Sequence, residues 1–379
     1  MKAIINGRII LPGGCDEGGT VIFDETIKAV GRGLDTAGCD EVIDAGGAYV
    51  MPGFVDIHIH GYMGEDASDG KAEGLLKISE SLLKNGVTSF CPTTMTVDMD
   101  AIKKALETIR LLKAKTAKGE GGARVLGANV EGPFINPLKK GAQSAEHILP
   151  PNADFAAQNS DIIKLITLAP EMPGGISFIK EVKEKTAITV SIGHTMANYA
   201  EAKAAIESGA SHITHLFNAM PPLNHREPGV IGAALENKNV TCELICDTFH
   251  IHPSLFEIMA REKEEGLVLI TDCMRAGGMP DGKYTLGGQN VEVSGIKCLL
   301  EDGTIAGSVL TMNRAVKNFA DNTSLPLWKI VSFASLIPAG VIGEAEKIGS
   351  IESGKLADII IADSEMNIKN VFINGIKKL

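Results

Sequence analysis

The sequence has no apolar run approaching the roughly 18 residues that a membrane-spanning helix needs. Its opening Met1-Lys2-Ala3-Ile4-Ile5-Asn6-Gly7 turns polar too early for a signal peptide. A cytoplasmic protein with no membrane partner is expected. Cysteine is scarce and unpatterned: Cys15, Cys39, Cys91, Cys242, Cys246, Cys273 and Cys298 are odd in number and include no CxxC pair. Neither a disulfide framework nor a thiolate zinc site is expected. Positive charge is in deficit, with a net charge of -11, which argues against nucleic acid as a partner while leaving room for a local basic pocket. A Walker A sequence is missing, and no GxGxxG follows a strand, so no nucleotide fingerprint competes for the function. What is present, 44% hydrophobic and 22% charged residues, fits a soluble globular chain with ample core. At 379 residues it has room for one large barrel of about 250 residues plus an appendage.

Residues 1–52 read as strands and turns without helical period, with Asn6-Gly7 as a turn between Ala3-Ile4-Ile5 and Arg8-Ile9-Ile10-Leu11. Residues 340–379 have the same character, and Ile373-Asn374-Gly375 echoes Ile5-Asn6-Gly7. The two termini are therefore expected to meet in one small β-sandwich domain. Between them, residues 53–339 alternate apolar runs with amphipathic stretches, the signature of βα units. Eight candidate strands, at 54–60, 87–91, 124–130, 163–168, 187–192, 212–216, 240–246 and 267–271, predict a (β/α)8 TIM barrel. The glycine-rich segment 277–295 after the last strand reads as either a lid or a surface hairpin.

Chemistry-bearing residues fall at the carboxyl ends of these strands, which in a barrel form one rim. In Pro52-Gly53-Phe54-Val55-Asp56-Ile57-His58-Ile59-His60-Gly61 the period of two puts His58 and His60 on one face. Glu131, His194, His215 and Asp272 end four further strands. Each has a plainer reading alone: His194 as a helix cap, His215 as a core histidine beside His212, Glu131 as a turn stabiliser. That all coincide with strand ends favours a metal site, and this donor mix suits Zn or Fe over Mg. Asp272 is not followed by a helix it could cap, so a proton-transfer role is expected. A cation that polarises a carbonyl and activates water points to hydrolysis of an amide or ester.

Those stretches, with Glu131-Gly132-Pro133-Phe134, His215-Leu216-Phe217-Asn218-Ala219-Met220, Arg226-Glu227-Pro228-Gly229 and Thr271-Asp272-Cys273-Met274-Arg275-Ala276, resemble the N-acetylglucosamine-6-phosphate deacetylase family of the amidohydrolase superfamily. The resemblance runs from end to end of the chain. It implies Glu131, His194 and His215 as ligands of a principal metal and His58 with His60 as a second site near Glu131, with one or two ions per subunit. Other branches of the superfamily bridge their metals with a modified lysine ending the fourth strand; here Lys164 falls early, so Glu131 is expected to bridge. The resemblance further implies a phosphorylated amino-sugar substrate contacted by Ala142, Gln143, Asn218, Ala219, Arg226, His250, Ala306 and Gly307. Arg226, from this subunit or reaching across a homodimer, would pair with the phosphate. Gln143, Thr248 and Cys273 depart from the residues common in the family, the first two at positions that touch substrate. Fold and metals do not choose a substrate. An N-acyl-amino-acid or cyclic-amide hydrolase is therefore the nearest alternative, with a non-catalytic scaffold behind it.

Overall fold

Short β-branched segments, too apolar to stay in water and too short for helices, become the parallel strands of the middle region. In the computed structural model, which describes residues 1–379, they are Phe54–Ile59, Val87–Thr94, Ala128–Phe134, Ile163–Leu168, Thr189–Ile192, His212–Ile213, Thr241–Ile245 and Leu267–Ile270. They pair side by side in chain order, and helices such as Ala72–Leu82, Met99–Ala117, Tyr199–Ser208 and Ser254–Glu262 lie between them. The expected (β/α)8 barrel is present. Its last and first strands meet only at their carboxyl ends: Asp272 N donates to His58 O at 2.9 Å, and the Thr271 hydroxyl donates to the buried Asp56 carboxylate at 2.6 Å. Further down, Val55 N bonds Ala334 O instead. The seam is thus closed beside the residues it must align.

The sixth strand is shorter than the expected 212–216. Left-handed backbone at His215 (φ 29°) and Phe217 (φ 80°) ends the ladder, and the Glu243 side chain accepts the His215 N–H that a neighbouring strand would otherwise take.

The terminal segments form one mixed sheet of eight strands. Ile359–Ala362 pairs antiparallel with Tyr49–Pro52, which joins the two ends of the chain. Asn6-Gly7 is not the turn expected of it. Lys2–Leu11 runs through as one strand with a bulge there, and Val50 packs so closely that a side chain at residue 7 would meet its Cγ2 at 2.4 Å. Asn374-Gly375, with φ of 50° and 69°, does make the tight turn.

This sheet has a cluster of only 11 buried apolar residues of its own, while Ile10, Met51, Ile360 and Val371 on its other face join the 80-residue core of the barrel, so its stability depends on the junction between them. There Arg124 bonds Asp358 through both terminal nitrogens, at 2.6 and 3.1 Å, and Asn374 at 2.5 Å, with the pair almost fully buried. Asp358→Asn is expected to leave a buried guanidinium without its counter-charge and to lower stability by about 3–5 kcal/mol. A urea midpoint unchanged from the parent protein would contradict this.

Segment 282–299 forms a small antiparallel sheet of Gly282–Leu286, Gln289–Ser294 and Lys297–Leu299. Leu286, Val291 and Val293 pack on Met95, Ala142 and Met274 beneath it. The Gln289 amide donates to Ala142 O, so the segment is a surface hairpin packed on the loop at Ala142, with Leu286 on the cavity described next.

Candidate active site

Glu131 sits at the centre of the rim, 2% exposed. Its Oε1 lies 3.0 Å from His194 Nε2, 2.9 Å from His215 Nε2 and 3.5 Å from His58 Nε2. Its Oε2 lies 3.3 Å from His60 Nε2 and accepts from Gln143 Nε2 at 2.8 Å. Asp272 Oδ1 faces His60 and His58 Nε2 at 3.2 and 3.5 Å. The structure therefore brings all six rim residues into one cluster. Two sets share Glu131: His58 with His60, and His194 with His215.

The outer nitrogens decide what the inner ones can do. His60 Nδ1 meets Thr93 O at 3.2 Å, His194 Nδ1 meets Lys139 O at 2.9 Å, and His58 Nδ1 meets Glu243 Oε2 at 2.9 Å. Oxygens of these kinds only accept, so each Nδ1 carries a proton and each neutral ring presents a bare Nε2. His194 and His215 Nε2 stand 3.1 Å apart, both against Glu131, and buried His58 Nε2 has no hydrogen-bond partner. Lone pairs and carboxylates so crowded require positive charge between them. These residues form a divalent-metal site.

The titrating groups show the same demand for positive charge, which protons on the imidazoles would meet where no cation does. Burial would raise the Glu131 carboxyl, but the His194 and His58 imidazoles hold it well below the usual range. Burial would lower His58, yet Glu243 and Glu131 push it up to about 9. His60 is raised well above its ordinary value: Asp272 and Glu131 overcome the desolvation. Asp272 is lowered, because the His60 hydrogen bond and the His58 charge outweigh burial.

Backbone strain collects at the same place. His194 (φ 48°), His215 (φ 29°) and Asp272 (φ 48°) all occupy left-handed conformations, which cost of order 1 kcal/mol each. Neighbours hold them there. Glu171 accepts from the Thr195 hydroxyl at 2.5 Å, Met196 N at 2.6 Å and Asn136 Nδ2 at 2.8 Å, clamping the His194 loop to the loop after Glu131. Ser308 N donates to Asp272 O at 2.8 Å, an approach that requires the bare glycine at 307 (φ 59°).

The metal cluster forms the floor of a cavity of about 530 Å³, within the range of small-molecule sites. Ala142, Gln143, Asn218, Ala219, His250 and Gly307 line it. Gln143 is fixed as a donor toward Glu131, because its Oε1 accepts from Thr96 N at 2.7 Å. His250 Nδ1 is held by Asp247 at 2.6 Å. Two expected contacts lie elsewhere: Ala306 is buried with Met274 and Leu286, and Arg226 stands exposed outside the cavity with its guanidinium on His225.

Sequence reading passed over Asp56 and Glu243. Asp56 is buried in the first strand, where desolvation pushes its carboxyl up to about 7 against the opposing Thr271 hydrogen bond. Glu243 lies behind His58 and His215. The available signal was one acid in an otherwise apolar strand. Lys139 and Lys140 also line the mouth, supplying the local positive charge that the net charge leaves room for.

Against known proteins, the amidohydrolase family model matches residues 49–377. The chain is 40% identical over 324 residues to the N-acetylglucosamine-6-phosphate deacetylase of Bacillus subtilis, covering 84% of this chain and 82% of that one. It is 34% identical over 330 residues to the N-acetylgalactosamine-6-phosphate deacetylase of Escherichia coli, covering 86% of each. The crystal structure of N-acetylglucosamine-6-phosphate deacetylase from Pasteurella multocida superposes with a TM-score of 0.92 at 31% identity, over 99% of this chain and 98% of that one.

Proposed function

The chain belongs to the amidohydrolase family, and from that premise we propose that it hydrolyses the acetamide of N-acetylglucosamine 6-phosphate, giving glucosamine 6-phosphate and acetate. The observation that carries this reading is the convergence of Glu131, His194, His215, His58 and His60 on the floor of a sugar-sized cavity, with Asp272 beside them. A bound divalent cation supplies carbonyl polarisation and activation of water. The donor set suits Zn or Fe, and two triads sharing Glu131 suit two ions per subunit.

Asp272 Oδ1 takes the proton of the attacking water and returns it to the nitrogen of the departing amine. His250, oriented by Asp247, and Asn218 with the backbone at Ala219 hold the sugar phosphate, while Ala142, Gln143 and the Gly307 backbone border the sugar. Arg226 pairs with the phosphate in the bidentate manner of a guanidinium. Its exposed place outside its own cavity suits a homodimer in which it enters the cavity of a second subunit. Residues 53–339 carry the chemistry, residues 1–52 and 340–379 form the accessory domain, and seven free thiols suit a cytoplasmic setting.

Acetate release from a panel of the phosphorylated gluco and galacto sugars, the unphosphorylated sugar and an N-acyl amino acid tests the reading. The phosphorylated gluco sugar is expected to have the highest kcat/KM. The galacto epimer belongs in the panel because one relative is named for it. Loss of a charged phosphate contact is worth about 1.5–3 kcal/mol, so Arg226→Ala should lower kcat/KM for the phosphorylated sugar about 10–100-fold. The unphosphorylated sugar should be turned over as before. Turnover of the N-acyl amino acid with none of the phosphosugars would overturn the assignment.

A further inference from the structure

Behind the metal cluster lies a carboxylate that the reaction leaves without a task. Glu243, on the Thr241–Ile245 strand, is fully buried, and its ion-pair partners are two imidazoles with no lysine or arginine among them. Its Oε2 accepts from His58 Nδ1 at 2.9 Å and from His215 N at 2.9 Å; its Oε1 faces His212 Nε2 at 3.1 Å. His212 is anchored in turn, its Nδ1 lying 2.5 Å from the Thr241 hydroxyl, which donates to Ser211 O.

One oxygen therefore touches both halves of the site. On the His58/His60 side it sets the ring tautomer that leaves Nε2 bare, and its negative charge makes that nitrogen a stronger donor to a cation. On the Glu131/His194/His215 side it meets only a backbone N–H, replacing the ladder bond lost where the strand bends at His215. The second contact is a matter of shape. The first is a matter of charge.

We infer that Glu243 is a positioning residue for the second metal half-site, its buried charge sustaining the ion held by His58 and His60 while leaving the ion held by Glu131, His194 and His215 nearly untouched. This rests on the metal-dependent reading above.

Glu243→Gln separates charge from shape. A glutamine that turns its carbonyl to His58 and His215 keeps both of those hydrogen bonds and removes the charge; its amide needs His212 Nε2 as an acceptor, a change of proton on His212 for which His212→Gln is the control. Metal-free parent and E243Q proteins are titrated with Zn²⁺ alone against a chromophoric chelator, and bound zinc is counted by mass spectrometry. The parent should take up two ions. E243Q should bind the first within about threefold of the parent and the second about 10–100-fold more weakly, the usual effect of losing an outer partner of a metal ligand. His212→Gln, which removes the outermost partner and leaves the carboxylate on His58, should bind both within about threefold.

A second-ion affinity unchanged in E243Q would overturn the inference, as would equal weakening of both ions, a like loss in His212→Gln, or a parent that takes up one ion only. Acetate release by the zinc-loaded parent is measured alongside. Its absence would remove the functional reading and leave the zinc titration to be judged by itself.

Discussion

Replacing Asp272 with Asn is expected to lower kcat by about 10²–10⁴-fold, the range for losing a positioned general acid–base group, with zinc or iron content at the Glu131/His194/His215 triad unchanged. The substitution is nearly isosteric. It also suits the backbone, because asparagine is among the few residues that adopt the left-handed conformation found here (φ 48°) at little cost. The Asp272 N–H to His58 O and Ser308 N–H to Asp272 O bonds are made by main chain and survive. What is lost is a carboxylate able to accept a proton and give it back. Asp272 lies against His58 and His60, outside the Glu131/His194/His215 triad, so metal should remain bound where turnover has collapsed. Steady-state acetate release, normalised to metal measured on the same sample, reads both quantities. Turnover within a few-fold of the parent would remove Asp272 from the chemistry.

Glu131→Gln should fail in the complementary way, losing metal first and activity in consequence. Glu131 is the one residue common to both triads, with Oε1 against His194 and His215 and Oε2 against His60. An amide in its place lacks the charge that balances the surrounding imidazoles. It also must turn an N–H either toward the bare nitrogens or toward Gln143 Nε2, itself a donor. A cation contributes several kcal/mol of charge stabilisation to such a reaction, so acetate release should drop by at least about 10³-fold. Metal content after gel filtration should fall far below that of the parent. A variant that kept its metal and lost only turnover would move Glu131 from ligand to proton carrier. Together the two variants separate holding the ion from using it.

Much of this site could be read from the chain because its parts obey simple periods. His58 and His60 share a face because a strand repeats every two residues, and Glu131, His194, His215 and Asp272 were marked by their place after apolar runs. Shape set by distant neighbours was not legible. Asn6-Gly7 and Asn374-Gly375 are the same dipeptide, yet one is a bulge and the other a turn, because the flanking strands decide how the chain passes. Ala306 and Gly307 are adjacent and both small, but only Gly307 borders the cavity. Glu243 escaped notice for a related reason: an acid inside Thr241–Ile245 acquires meaning only when His58, 185 positions away, is known to lie against it.

X-ray anomalous scattering from crystals of the purified protein, recorded across the zinc and iron absorption edges, addresses the metal centre most directly. The expected result is a peak about 2.0–2.2 Å from a Glu131 carboxylate oxygen and from Nε2 of both His194 and His215. Protein that releases acetate while showing no peak there, or whose only peak touches none of those three side chains, would contradict it.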